Sequence, residues 1–429
     1  MPKNKSTDAL LQFIDASPTM FHAVKNAVDL LVSRGGLLLS ESDVWEIALE
    51  KIHCVTRNGS SIVAFRVPKK WDKKNLHFKI IGAHTDSPCM KLKPNSLDPS
   101  ANYLQWGAEV YGGALYNSWL DRDLNLAGKI VESDGRSLYS SLHRSTKRYR
   151  IPQLAIHLDR KVNESGLLLN PQQHLVPVMG LSDTKKKLNI HDLFPELQKT
   201  KNTTLAFDLF FYDANPASYG GLNDDFIYAP RLDNLGMTHA ALSSFLESEP
   251  SENCISVIAL FDHEEVGNQS AQGALSNFLP SILERIFFCL GKNHESYFSA
   301  LAQSFFISAD MAHALHPNYK DRHDSAHLPL LNHGPVIKGN AGLKYATSAE
   351  TSARFQSLCK KIKIPYQFFI NRNDLGCGST IGSLIAASLG IFTVDVGSPM
   401  LSMHSAREMA GSADHALTIK AFQSFFEMD

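Results

Sequence analysis

The apolar run Val257-Ile258-Ala259-Leu260-Phe261 has no polar break, so it reads as a buried strand of a mixed or parallel sheet. Around it the hydrophobic pattern shifts between helical and extended periods. Residues 7–34 carry helical periodicity: Val24, Ala27, Val28 and Leu31 share a face, Pro18 starts that helix, and Gly35-Gly36 stops it. Residues 51–68 read as a hairpin turning at Asn58-Gly59, with Val63, Phe65 and Val67 alternating afterwards. A strand at 78–82 runs directly into Ala83-His84-Thr85-Asp86-Ser87-Pro88.

From about Lys91 to Ile227 the character changes. Strand-like runs at 103–111, 128–132 and 203–212 are separated by Gly, Asn, Asp and Ser turns, and the polar stretch 182–187 reads as a surface loop. After Tyr228 the pattern returns to helices and strands in turn. A helix is predicted over 235–246, then the central strand, a strand at 304–309, a helix near 349–359 and a strand at 391–396. A last helix shows Ile419, Phe422, Phe425 and Phe426 on one face. This order predicts an α/β fold: a mixed-sheet domain formed by residues 1–91 plus 228–429, interrupted by a β-rich insert over 92–227.

Composition narrows the class of function. Basic and acidic residues nearly balance, 42 against 43, so no nucleic-acid or membrane-surface partner is expected. Cys54, Cys89, Cys254, Cys289, Cys359 and Cys377 form no CxxC pair, which argues for reduced thiols rather than a disulfide framework or a cysteine zinc site. Residues 1–15 are interrupted by Lys3, Lys5, Asp8, Gln12 and Asp15, and no run could span a bilayer. Cytoplasmic placement is the expectation.

The chemistry gathers where the predicted strands end. Asp262-His263-Glu264-Glu265 follows the central strand, and two adjacent glutamates repel unless something cationic holds them. One carboxylate that ligates a divalent metal, with its neighbour kept as general base toward a water the metal activates, suits that pattern. Four other segments place a potential ligand after a strand: His84, Asp233, Asp310 and His404. Asp86, two residues beyond His84, is placed to accept from the other ring nitrogen. Each residue alone also fits a loop or helix-cap role. Together they can supply two divalent ions with three ligands each, provided one carboxylate bridges.

The segments His84-Thr85-Asp86-Ser87-Pro88, Arg231-Leu232-Asp233-Asn234, Asp262-His263-Glu264-Glu265-Val266-Gly267, Ser308-Ala309-Asp310-Met311-Ala312-His313, Gly334-Pro335-Val336-Ile337-Lys338 and Met403-His404-Ser405 resemble those of the aspartyl aminopeptidases. Gly112-Gly113, residues 119–128 and Ile151-Pro152-Gln153-Leu154-Ala155-Ile156-His157-Leu158 extend the likeness into the insert. The resemblance implies a dinuclear zinc exopeptidase with two zinc ions per subunit (Mn or Co can substitute) that removes N-terminal Asp or Glu from short peptides. It implies that Asp233 bridges the metals, that His84 and Asp310 complete one site, and that Glu265 and His404 complete the other. Glu264 would be the base, and Asp86 would orient His84. His157 would reach the active site of a neighbouring subunit. Lys338, with Tyr345 and His313, would receive the acidic side chain. The insert would be a dimerisation domain of a homo-oligomer, a dodecamer built from dimers.

Two further readings stay open on the residues themselves. A related dinuclear deacylase or carboxypeptidase would use the same metals, and a carboxypeptidase would add a cation such as Arg372 or Arg407. A non-catalytic scaffold stapled by metals would have no use for Glu264 beside Glu265.

Overall fold

The computed structural model describes residues 4–72, 75–182, 187–249 and 251–428. Most of the loop expected at 182–187 therefore lies outside the described residues. The chain divides into two units. One comprises 1–86, 217–403 and 408–429; the other comprises 87–216 and 404–407. The sequence pattern places these junctions later, at 91/92 and 227/228.

The first unit is α/β. Its nine-stranded mixed sheet runs in the order Leu37–Leu39, Ile52–Arg57, Ser61–Arg66, Cys254–Phe261, His77–His84, Phe305–Ala309, Phe392–Gly397, Val336–Gly339, Gln367–Ile370. Cys254–Phe261, His77–His84, Phe305–Ala309 and Phe392–Gly397 are mutually parallel neighbours, so their carboxyl ends open on one edge. The unbroken apolar run of the central strand has a direct cause. Ile258 and Leu260 pack into a core with helices Lys5–Ala16, Met20–Ser33, Leu232–Glu247 and Asp414–Glu427 on one face of the sheet. Val257, Ala259 and Phe261 pack into a second core with helices Phe278–Cys289, His294–Gln303 and Ile381–Leu389. Side chains alternate across a strand, so a strand covered on both faces has no polar side.

The helical stretch 7–34 forms two helices, and the one carrying Val24, Ala27, Val28 and Leu31 begins at Met20, two residues after Pro18. Ser17 and Pro18 stand between them, with Asn4 capping the first through its side chain. A smaller five-stranded sheet also belongs to this unit, ordered Ser218–Gly220, Phe226–Ala229, Glu408–Gly411, Pro399–Leu401, Ala312–His313.

The second unit is β-rich. Its antiparallel sheet runs Ala108–Tyr111, Cys89–Leu92, Thr203–Asp213, Leu124–Ser133, Leu138–Arg144, over a core of Trp106, Trp119, Leu126, Ile130, Phe194 and Phe211. The run 103–111 read as one strand is two. Tyr103–Gln105 pairs instead with Val178–Leu181 in a separate ribbon. Among the described residues, no helix is long and apolar enough to cross a membrane. Among the described residues, no disulfide joins any of the six cysteines.

Candidate metal centre

Five of the sequence-selected acids and histidines meet at the carboxyl edge of the nine-stranded sheet. His84 ends its strand, Asp310 follows Phe305–Ala309, and Glu264-Glu265 form a short turn after Cys254–Phe261. Asp233 sits in the first turn of Leu232–Glu247 with non-helical backbone angles, and the Asp233–Asn234 peptide is cis. Neighbouring main chain holds these groups in place. Thr238 donates its hydroxyl to the His84 carbonyl at 2.7 Å, and the Asn234 amide donates to the Ala309 carbonyl at 2.9 Å. Arg231 (φ 58°) and His263 (φ 64°) take the left-handed conformation just ahead of the ligands, a strained choice for residues with a Cβ. Arg231 is anchored there by donating to the Ser17 and Ile14 carbonyls.

His84 is buried, and its Nε2 faces two carboxylates: Asp233 Oδ1 at 3.5 Å and Asp310 Oδ1 at 3.7 Å. One potential ligand atom from each of the three lies within 4.8 Å of the others, and the same holds for His84, Glu264 and Glu265. A tetrahedral ion with ligands at about 2.0–2.1 Å spaces them about 3.3 Å apart, so the first set fits a zinc-sized cation. The electrostatics point the same way. Burial pushes the His84 imidazole down, but Asp233, Asp310 and Asp86 together hold it well above the usual histidine range. A site that binds a proton this firmly is one that calls for a positive charge. Glu264 shows the converse: burial, with Asp310, Asp86 and Asp233 adding to it against His84, raises its carboxyl to about 8. A nearby cation would bring it back toward the ionised form that a base needs.

Asp86 does more than the sequence reading gave it. The His84 Nδ1–H donates to the Asp86 main-chain carbonyl at 3.0 Å, with the Asp86 carboxylate at 3.4 Å. That carboxylate accepts the N–H groups of Glu264 and Glu265, at 3.2 and 3.1 Å. One residue thus fixes both the imidazole tautomer and the turn that carries the two glutamates. Sequence reasoning missed Glu408, which is buried and accepts the Asp233 N–H at 3.1 Å. Its only sequence signal is an acid opening an otherwise apolar strand.

Lys338 is buried on Val336–Gly339, with its ammonium 3.3 Å from Asp310 Oδ2, 3.2 Å from the Met311 carbonyl and 5.2 Å from the Tyr345 ring centre. Asp310 therefore points one oxygen at His84 and the other at Lys338. His313 is exposed, its ring edge-on to Phe369 at 5.5 Å.

Two sequence-selected histidines lie in the second unit. His404 (φ 67°) donates from Nδ1 to the Gly113 carbonyl at 3.1 Å, which puts the lone pair on Nε2, the form that ligates a metal. His157 lies on an exposed turn at 156–158. The two arginines that a carboxypeptidase would use are engaged structurally. Arg372 grips Asp374 at 2.6 Å on the surface, and Arg407 donates to the Asn215 and Pro216 carbonyls at 3.2 and 2.8 Å.

The family model of the aminopeptidase I (M18) zinc metalloproteases matches residues 13–426. The chain belongs to that family. It is 43% identical to aspartyl aminopeptidase 1 of Schizosaccharomyces pombe, over 97% of this chain and 93% of that protein. It is also 43% identical to a probable M18 family aminopeptidase 2 of Pseudomonas aeruginosa, over 97% of each. Among solved structures it is similar to the Saccharomyces cerevisiae mApe1 dodecamer, at 28% identity and a TM-score of 0.84, over 98% of this chain and 96% of that one. As an M18 protein the chain is a zinc-dependent aminopeptidase.

Proposed function

We propose that this M18 enzyme removes N-terminal Asp and Glu residues from short peptides. The convergence of His84, Asp233 and Asp310 beside the half-buried pair Glu264-Glu265 is the observation that carries the reading. His84 and Asp310 would hold one zinc ion, Glu265 and His404 a second, with Asp233 between them. Bound there, the ions supply Lewis acidity toward the scissile carbonyl and toward the attacking water. Glu264, braced through its N–H by Asp86, takes the proton from that water and passes it to the leaving amine. Lys338 receives the substrate's acidic side chain, with Tyr345 and His313 beside it. The buried ammonium attracts a carboxylate and gains nothing from a neutral side chain, so the pocket favours acidic residues.

The relative named aspartyl aminopeptidase and the solved mApe1 dodecamer support an acidic substrate and a homo-oligomer, here a dodecamer built from dimers through the β-rich unit. The exposed turn carrying His157 is suited to reaching a neighbouring subunit's site. Six cysteines with no disulfide among them support a reducing, cytoplasmic setting.

Glu264→Gln tests the assignment of the base. Turnover should fall by ~10²–10⁴-fold while metal content stays at the wild-type level. A metal loss matching that of Glu265→Ala would make Glu264 a ligand instead, and unchanged turnover would remove it from the mechanism.

A further inference from the structure

Behind Lys338 lies a carboxylate that the metal centre does not use. Asp395, on Phe392–Gly397, is wholly buried. Its strand pairs antiparallel with Val336–Gly339, with Val396 opposite Ile337, so Asp395 and Lys338 each lie one residue beyond that pair. Burial raises the Asp395 carboxyl, and the Lys338 charge pulls against it.

Its hydrogen bonds gather three separate segments. Asp395 Oδ2 accepts the Ala346 N–H at 2.6 Å, and Oδ1 accepts the Thr380 hydroxyl at 2.5 Å. The Asp395 N–H donates to Thr347 Oγ1 at 2.9 Å. Thr380 is the N-cap of Ile381–Leu389. Gly382 in that helix leaves room for the carboxylate: a Cβ there would come within 2.5 Å of Asp395 Oδ2. Ala346 and Thr347 directly follow Tyr345, whose ring faces the Lys338 ammonium. An unsatisfied amide at Ala346 would free that segment, because a buried N–H without an acceptor is costly.

We propose that Asp395 is a positioning residue for side-chain specificity. It pins segment 345–347 so that Tyr345 stays against Lys338 and the two meet the substrate's acidic side chain in one fixed geometry. The inference rests on the acidic-substrate reading above.

The test compares Asp395→Ala, Asp395→Asn and Thr347→Val with wild type. The substrates are two peptides identical except for Asp or Leu at the first position, with metal content measured alongside. Asp395→Ala should raise KM for the Asp peptide by about tenfold or more, with kcat within about threefold, and leave KM for the Leu peptide unchanged. Asp395→Asn keeps an acceptor for Ala346 and a donor toward Thr380, so it should restore KM to within about threefold of wild type. Thr347→Val keeps the shape of the side chain and removes the acceptor for the Asp395 N–H; it should raise KM for the Asp peptide alone, by about threefold. Equal losses on both peptides, no change in the Asp-to-Leu KM ratio, or an asparagine variant as impaired as the alanine one would overturn the proposal. A wild-type enzyme with no preference for Asp over Leu would instead overturn the acidic-substrate reading, and wild type alone decides that.

Discussion

Replacing Lys338 with methionine keeps the length of the side chain and removes its charge. The structure sets the scale of the effect. The ammonium is buried and lies 3.3 Å from Asp310 Oδ2, where at an effective dielectric of about 20 the attraction is about 5 kcal/mol. A substrate carboxylate meeting Lys338 at similar range would gain an interaction of the same order, reduced by its own desolvation. Breaking such a buried pair costs about 2–5 kcal/mol, so kcat/KM on Asp- and Glu-initiated peptides should fall by roughly 30-fold to several thousand-fold. Leu- and Ala-initiated peptides need no cation, and their kcat/KM should hold or rise. Asp310 adds a second readout, because Lys338 also steadies a carboxylate that faces His84. Metal content measured on the same preparations separates the two roles. Wild-type metal content with a loss confined to acidic peptides supports the specificity role. Equal loss on Asp and Leu peptides, tracking loss of metal, would refute it and make Lys338 a support for Asp310.

Two other outcomes follow from different parts of the molecule. His239 and His415 are buried against each other, with Nδ1 of the first 2.8 Å from Nε2 of the second; burial lowers His239 to about 4 and His415 well below the usual histidine range. Histidines held neutral this way support the fold above about pH 6.5 and lose that support as pH falls toward 4, by about 3 kcal/mol for His239. Urea midpoints taken across that window should fall more steeply for wild type than for His239→Asn, and parallel curves would contradict this. Mixing His157→Ala with Glu264→Gln under conditions of subunit exchange should partly recover activity if His157 serves a neighbour's site. No recovery, with exchange verified by mass, counts against it.

How far the sequence could be read depended on how local each signal was. The ligand-bearing segments were legible because each follows an apolar strand, and parallel neighbours bring such ends to one edge. Asp233 was legible as a residue, but not its place inside the first turn of a helix, because its backbone there is non-helical. The split of 103–111 into two strands of different sheets was not legible, since alternation shows extension but not the partner. Helices Phe278–Cys289, His294–Gln303 and Ile381–Leu389 escaped notice. Ile381–Leu389 is apolar almost throughout, so its periodicity is weak, whereas Phe278–Cys289 buries Phe278, Leu279, Ile282, Leu283, Ile286 and Phe287 at helical spacing and was open to reading. Asp86 was assigned to His84 on spacing alone, whereas its carboxylate spends both oxygens on the Glu264 and Glu265 amides. Glu408 and Asp395 were invisible because their partners lie 175 and 49 positions away in the chain.

The central claim is that this chain is a metal-dependent aminopeptidase with an acidic preference, and one measurement addresses all of it. Wild-type protein is incubated with peptides differing only in their first residue, before and after removal of metal by a chelator, and the released amino acids are identified. The account predicts free Asp and Glu from the amino terminus, little Leu or Ala, loss of release with chelator and recovery when zinc or manganese is returned. Release from the carboxyl terminus, hydrolysis indifferent to the chelator, or a preference for Leu or Ala over Asp would contradict it.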